Sequence, residues 1–419
     1  MKKFTVCLLS LIITAYSMEL FKGDPEINSG SENIPEGEPA EIKPPAESNN
    51  IFMVKAYKVL TEKEKNNNIF ISPFSISSAL AMTYAGSAGS TESEMAHALE
   101  FSKNTVAFHK SFGNMTEKIN SVSKKGNLEL SIANSLWLAE GYEFLDEFLR
   151  INNTYYNTET TNLDFSESVT ARKRINDWVA EKTKDKIKDL IPKGILDALT
   201  KLVLTNAVYF KAEWKDQFKE RMTNKDTFFT SEAKSAEIEM MNQKKRFNYA
   251  ENDEAQFIEM PYKGNDASMF VLLPKKKSGL DNIEKKLTWE YIEKLTANME
   301  PEQVDVYFPK YKMSLKYELR EILNELGMKK AFNKGADFSK MNGNRDLYIS
   351  AVIHKTFIEV DETGTEAAAA TAVVMRMKSA MPDPEFKTFK ADHPFFYFIK
   401  ERSTGAVLFA GRVSNPKVK

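Results

Sequence analysis

Four histidines, a single cysteine and a run of small residues ending in two basic ones are the places where this chain could do chemistry. The histidines are His97, His109, His354 and His393, and none sits in H-E-x-x-H spacing. There is no G-x-S-x-G, no G-x-G-x-x-G and no Walker-type loop. Zincin hydrolysis, acyl transfer from a nucleophile elbow and dinucleotide or nucleoside triphosphate binding therefore lack their usual local signatures. A hydrolase stays as a rival only because catalytic triads are assembled in space. Cys7 lies in the apolar N-terminal stretch, so a chain cleaved after that stretch holds no thiol, disulfide or cysteine metal site. No cofactor and no metal is expected.

The unusual segment is ETGTEAAAATAVVMRMKSAMPDP, from Glu362 to Pro384. By propensity its alanines favour a helix, and a plain surface helix is the bland alternative. However, it has no amphipathic stripe, and Gly364 and Thr365 open a helix poorly. At strand period, Thr365, Ala367, Ala369, Thr371, Val373 and Met375 share one face. Glu366, Ala368, Ala370, Ala372, Val374 and Arg376 share the other, so one face carries no charge. Such a segment could enter a sheet with its small face inward. It runs on to Lys378 and a proline-interrupted stretch, which predicts an exposed loop before any insertion.

The surrounding elements mix helices and strands. Apolar spacing predicts a helix over 171–191, with Ile175, Trp178, Val179, Ile187, Leu190 and Ile191 on one face and Pro192 with Gly194 ending it. A second is predicted over 315–326, from Leu315, Leu319, Ile322, Leu323 and Leu326 ahead of Gly327. Strands are predicted at 202–210, 269–273 and 303–308. FFYFI at 395–399 and AVLFAG at 406–411 read as a buried C-terminal hairpin turning through Ser403, Thr404 and Gly405.

Several stretches, in order along the chain, resemble the serpin family. They are NIFISPFSISSALAM at 68–82, NSLWL at 134–138, LVLTNAVYFKAEWKDQF at 202–218, AVIHKTFIEVDETGTEAAAAT at 351–371 and HPFFYFIKERSTGAVLFAGRVSNP at 393–416. The resemblance covers nearly all of the chain after residue 50 and implies an α+β fold. That fold has three β-sheets, eight or nine helices and an exposed reactive-centre loop, here about 362–386. It also implies a metastable inhibitor of serine proteases. Its loop, once cut, would insert into the main sheet as an added strand and leave the acyl-enzyme unhydrolysed. Carried over to this sequence, the hinge is Gly364, Thr365, Glu366, Ala367, Ala368, Ala369 and Ala370. Spacing from Gly364 puts the reactive bond at Lys378–Ser379, with Arg376–Met377 as the alternative. Lysine suits a pocket lined by aspartate, so the expected partner is a trypsin-like serine protease held in a covalent complex. Ser72, Ser75, Asn206 and His354 match the polar cluster where the central strands part, and Trp214 matches the tryptophan at the top of that opening. Ordinary readings of the same residues are a helix cap for the serines and a satisfied core histidine for His354.

The N-terminus reads as a secretory leader over 1–17: Lys2 and Lys3, an apolar Phe4–Ala15, then small Ala15 and Ser17. An uncleaved anchor is the alternative. Residues 18–50 are acidic and proline-rich and predict a disordered extension, with the globular domain over 51–419. The 58 Lys and Arg nearly balance the 59 Asp and Glu, which argues against nucleic acid or an anionic membrane as partner. A secreted, extracellular monomer is expected. Asn114 and Asn152 open glycosylation sequons. Lys103, Lys110, Lys118, Lys124 and Lys125 fall where some serpins bind heparin; their scatter allows weak glycosaminoglycan binding at most. The rival within the family is a non-inhibitory carrier, storage protein or chaperone, whose hinge would carry bulky or charged residues on the inserting face.

Overall fold

The computed structural model describes residues 43–158, 160–365 and 385–417. The leader, most of the acidic extension and residues 366–384 lie outside them. The elements run α1 (Pro45–Glu64), β1 (Ile69–Ile71), α2 (Pro73–Tyr84), α3 (Gly89–Leu99), α4 (Val106–Lys124), β2 (Leu128–Ala139), α5 (Asp146–Ile151), β3 (Thr160–Leu163), α6 (Ser168–Lys182), β4 (Leu202–Glu213), β5 (Asn224–Ser231), β6 (Lys234–Glu251), β7 (Ala255–Pro261) and β8 (Ala267–Pro274). They continue with α7 (Leu280–Lys286), α8 (Trp289–Ala297), β9 (Glu300–Pro309), β10 (Tyr311–Glu318), α9 (Arg320–Glu325), α10 (Ser339–Asn342), β11 (Ile349–Val360), β12 (Gly364–Thr365), β13 (Lys387–Lys390), β14 (Phe395–Glu401) and β15 (Val407–Val413). The tenth helix is a single turn of four residues, so the longer helices match the eight or nine expected.

A six-stranded sheet has the order β10-β11-β12-β4-β2-β3. A nine-stranded network runs β1-β15-β14-β8-β7-β6-β9-β13, with β5 added on β6. The eighteen-residue β6 belongs to two parts of that network: its N-terminal half carries β5, and its last residues, Asn248–Glu251, carry β7. The sheets of the expected fold are thus present, two of them joined along β6.

The six-stranded sheet is covered on both faces. The main core, with Leu204, Val208, Phe210 and Val360, lies on one side. A second cluster of Trp137, Ile175, Val179, Val203, Ala207 and Ile353 lies on the other, under α6. That is why Leu202–Phe210 is buried at every residue instead of alternating. Helix α2 is also buried throughout. Its sequence allows this because Ser72 caps it, accepting from the Ser75 N–H at 3.2 Å, and Pro73 opens it.

The β14–β15 hairpin forms as predicted, turning on Gly405 at φ +74° while the Glu401 carboxylate accepts from the Ser403 and Thr404 N–H groups. It also corrects the boundary set at residue 50. Asn49 donates to the Val407 carbonyl at 2.9 Å, and Asn50 bonds Gly405 and Val407. These two buried amides tie the start of α1 to the hairpin, so the folded body begins by Pro45.

Both predicted helices are shorter than their apolar patterns. α6 stops at Lys182, because Lys184 and Asp185 take left-handed backbone, and Asp189 does so again further on. Ile187, Leu190 and Ile191 are nevertheless buried where the pattern put them, held by Asn176, which bonds both the N–H and the carbonyl of Ile191. At 315–326 only Arg320–Glu325 is helical. Leu315 belongs to β10 opposite Thr356, so pairing with β11 overrides the helical spacing.

Candidate functional site

The central feature is a slot between β4 and β11. These strands pair in parallel from Leu202 with Ile349 to Tyr209 with Phe357. Above that, they part and admit β12. Thr365 pairs with Val360 on one side and Ala212 on the other, and Gly364 pairs with Glu213, antiparallel to both neighbours. The turn into β12 is an aspartate turn: Asp361 Oδ1 accepts from the N–H of Thr363 at 2.8 Å and of Gly364 at 3.1 Å. At position 364 a Cβ would stand 2.1 Å from the Ala212 carbonyl oxygen, so only glycine fits. The hinge glycine is therefore required by a close approach of two backbones.

Below the slot, the residues singled out in the sequence come together. Asn206 and His354 are register partners across β4 and β11. The Ser72 N–H donates to His354 Nε2 at 3.0 Å, which leaves the proton on Nδ1, aimed at Asn206 Oδ1. Asn206 Nδ2 donates to Ser75 Oγ at 2.8 Å and to Asn134 Oδ1 at 2.7 Å. Asn134 Nδ2 donates to the Ser75 carbonyl at 3.1 Å, and Ser72 Oγ donates to the Leu408 carbonyl at 2.6 Å. The bonds across Asn134, Asn206 and His354 join β2, β4 and β11 to α2 below. Opening the slot must exchange the His354–Asn206 bond for another partner. Asn134 was missed in the sequence; the signal is its position opposite Asn206, which needs the β2–β4 register.

Burial holds the His354 imidazole far below its ordinary value, at about 3, and His109 at about 4. Both are neutral when folded and protonate near 6.5 when unfolded. The unfolded chain thus binds more protons between those values, and stability falls as pH drops below about 6.5. We expect the urea midpoint to be flat above pH 7.5 and to fall between pH 7 and 5. Each histidine contributes up to about 1.4 kcal/mol per pH unit within its window. A flat midpoint between pH 7 and 5 would show that these rings are not buried neutral.

Above the slot, Trp214 is separate from that polar cluster. Its indole N–H donates to the Asp361 carbonyl at 3.0 Å, its backbone N–H to the Thr363 carbonyl at 2.8 Å, and its ring stacks on Tyr262 at 4.7 Å and 6°. Glu362 is held by Lys310 at 2.9 Å and by the Thr223 hydroxyl at 2.7 Å. Burial alone would raise its carboxyl, but those two partners outweigh it and keep it below the usual range. Thr223, Tyr262 and Lys310 carry no sequence signal of their own; only the fold brings them to the hinge.

Glu366, Ala367, Ala368, Ala369, Ala370, Arg376, Met377, Lys378 and Ser379 lie outside the described residues. Asn114 is exposed on α4. Asn152 is a correction: it is fully buried, donating to the Phe148 carbonyl at 3.0 Å, and leaves no room for a glycan. Of the five lysines at 103, 110, 118, 124 and 125, Lys125 is paired to Asp266 at 3.0 Å.

The site is thus a sheet with one short strand, β12, seated between β4 and β11 and a buried polar cluster beneath it. The sequence profile described as Serpin (serine protease inhibitor) matches residues 47–416, and the chain belongs to that family. A leukocyte elastase inhibitor of Equus caballus is 40% identical over 380 residues, 88% of this chain and 98% of that protein. The crystal structure of Serpin48 from the insect Tenebrio molitor has a TM-score of 0.80 at 33% identity, covering 90% of this chain and 100% of that one. Uncleaved ovalbumin has a TM-score of 0.80 at 30% identity, covering 89% and 100%.

Proposed function

We propose that this chain is a secreted, extracellular suicide inhibitor of trypsin-like serine proteases, with Lys378–Ser379 as bait and Arg376–Met377 as the alternative bond. The observation that carries the reading is β12, already seated antiparallel between β4 and β11 with Thr365 buried. Residues 367, 369, 371, 373 and 375 follow at the same parity and are uncharged. Continuing the β12 register along β4 and along β11 brings one residue, Thr371, opposite both Asn206 and His354. Its hydroxyl is the partner that the pair would need once insertion separates them. Loop insertion then competes with hydrolysis of the acyl-enzyme, and the protease stays attached through the Lys378 carbonyl. The relatives named as elastase inhibitors support protease inhibition; the lysine argues for a trypsin-like target rather than an elastase. The leader over 1–17, a glycan at Asn114 and weak glycosaminoglycan contact through Lys103, Lys110, Lys118, Lys124 and Lys125 belong to the same proposal.

Incubation with trypsin tests it. We expect an SDS-stable complex and release of a C-terminal peptide that mass spectrometry finds to begin at Ser379. A peptide beginning at Met377 moves the bait to Arg376. Clean cleavage with no complex favours the carrier or storage reading, to which the likeness to ovalbumin lends weight.

A further inference from the structure

We infer that Tyr262 is a positioning residue for trapping: its hydroxyl holds Thr365 in the mouth of the slot, so that insertion starts from a nucleus already formed. This rests on the insertion reading above. Tyr262 follows β7 in the other sheet network, yet its side chain crosses to the hinge. Its hydroxyl lies 2.8 Å from Thr365 Oγ1, and both residues are fully buried. Its ring is fixed from two directions, flat against Trp214 and edge-on to Phe210 at 5.4 Å and 68°. A backbone bridge pairs residues 262 and 214, so the main chain that carries the ring is tied to the end of the strand that lines the slot.

Among the described residues, each of these two hydroxyls has the other as its only side-chain partner. Removing one leaves the second buried and unpaired, a state avoided by letting the hinge leave its seat. Starting a strand is the unfavourable step, because residues are ordered before the ladder grows to offset them. With Thr365 seated, the remaining insertion is extension along β4 and β11. With the seat empty, it must begin anew while the acyl-enzyme hydrolyses. The bond therefore governs the partition between trapping and turnover, and leaves the initial attack on the bait unchanged.

The test is the stoichiometry of inhibition with trypsin, alongside the rate of loop cleavage. Tyr262→Phe keeps the ring stacked on Trp214 and should raise the inhibitor consumed per trapped protease by about tenfold, the order expected for one buried hydrogen bond. The cleavage rate should stay within a factor of about two. Thr365→Val should behave likewise, Thr365→Ser should trap like wild type, and the double variant should be no worse than either single one, because the two changes remove one bond. If Tyr262→Phe misfolds, the valine and serine variants at 365 carry the test alone. Wild-type stoichiometry in Tyr262→Phe or Thr365→Val, or additive losses in the double variant, would overturn the assignment. A wild-type chain that forms no complex at all would instead refute the proposed function on which it rests.

Discussion

Thr365→Arg should turn the protein from an inhibitor into a substrate, cut after Lys378 with active trypsin released. Thr365 is fully buried between β4 and β11, and its side chain faces Tyr262 in the main core. A guanidinium there would enter a packed space beside the Tyr262 and Trp214 rings, in the place of a neutral hydroxyl. An unpaired buried ion costs several kcal/mol, and each 1.4 kcal/mol is a factor of about ten in the partition. We expect trapping to fall by roughly a thousandfold or more, below detection in a complex-formation gel. Glu366→Arg is the control. Its side chain falls at the opposite parity, outward on insertion, and should change the stoichiometry by less than about threefold. Equal behaviour of the two variants would contradict the parity, and full inhibition by Thr365→Arg would contradict insertion as the trapping step.

The parity of the hinge was the most legible part of the sequence. Two-residue periodicity is a property of the backbone, so Thr365 could be placed inward from spacing alone, and the burial of Thr365 agrees. Ser72, Ser75, Asn206 and His354 also meet; the serpin resemblance implied that cluster, whereas the residues by themselves read only as a helix cap and a core histidine. Residues 171–191 show the limit of such reading. Most of their apolar positions are buried as expected, but periodicity does not reveal that left-handed backbone at Lys184 and Asp185 ends the helix at 182. At Leu315, the pairing of β10 with β11 decides the backbone, and that is a non-local effect. Asn152 has a sequon and no surface. Tyr262 and Asn134 become readable only once strand registers are known, since their partners are 103 and 72 residues away in sequence.

Cleavage of the loop should raise the thermal midpoint by tens of degrees. At present β4 and β11 share one parallel ladder between Leu202 and Tyr209. An inserted strand would replace it with two antiparallel ladders, a net gain of about ten backbone hydrogen bonds at ~1 kcal/mol each. Burial of the small inward face adds to that. In a domain this large, each kcal/mol moves the midpoint by a few degrees at most, so only a change on the scale of a whole strand produces such a shift.

The most direct measurement is that melting shift in a protein whose slot can be locked. Ala207 and Lys355 are register partners across β4 and β11, and no cysteine lies beyond Cys7. Adjacent strands are about 4.8 Å apart, within reach of a disulfide. Ala207→Cys with Lys355→Cys should therefore staple the slot shut when oxidised. After limited proteolysis confined to residues 366–384, the reduced double variant should gain tens of degrees, as wild type does. The oxidised form should gain no more than a few, and should be cleaved by trypsin without forming a complex. An oxidised, stapled protein that still gains tens of degrees on cleavage, or still traps trypsin, would contradict insertion between β4 and β11.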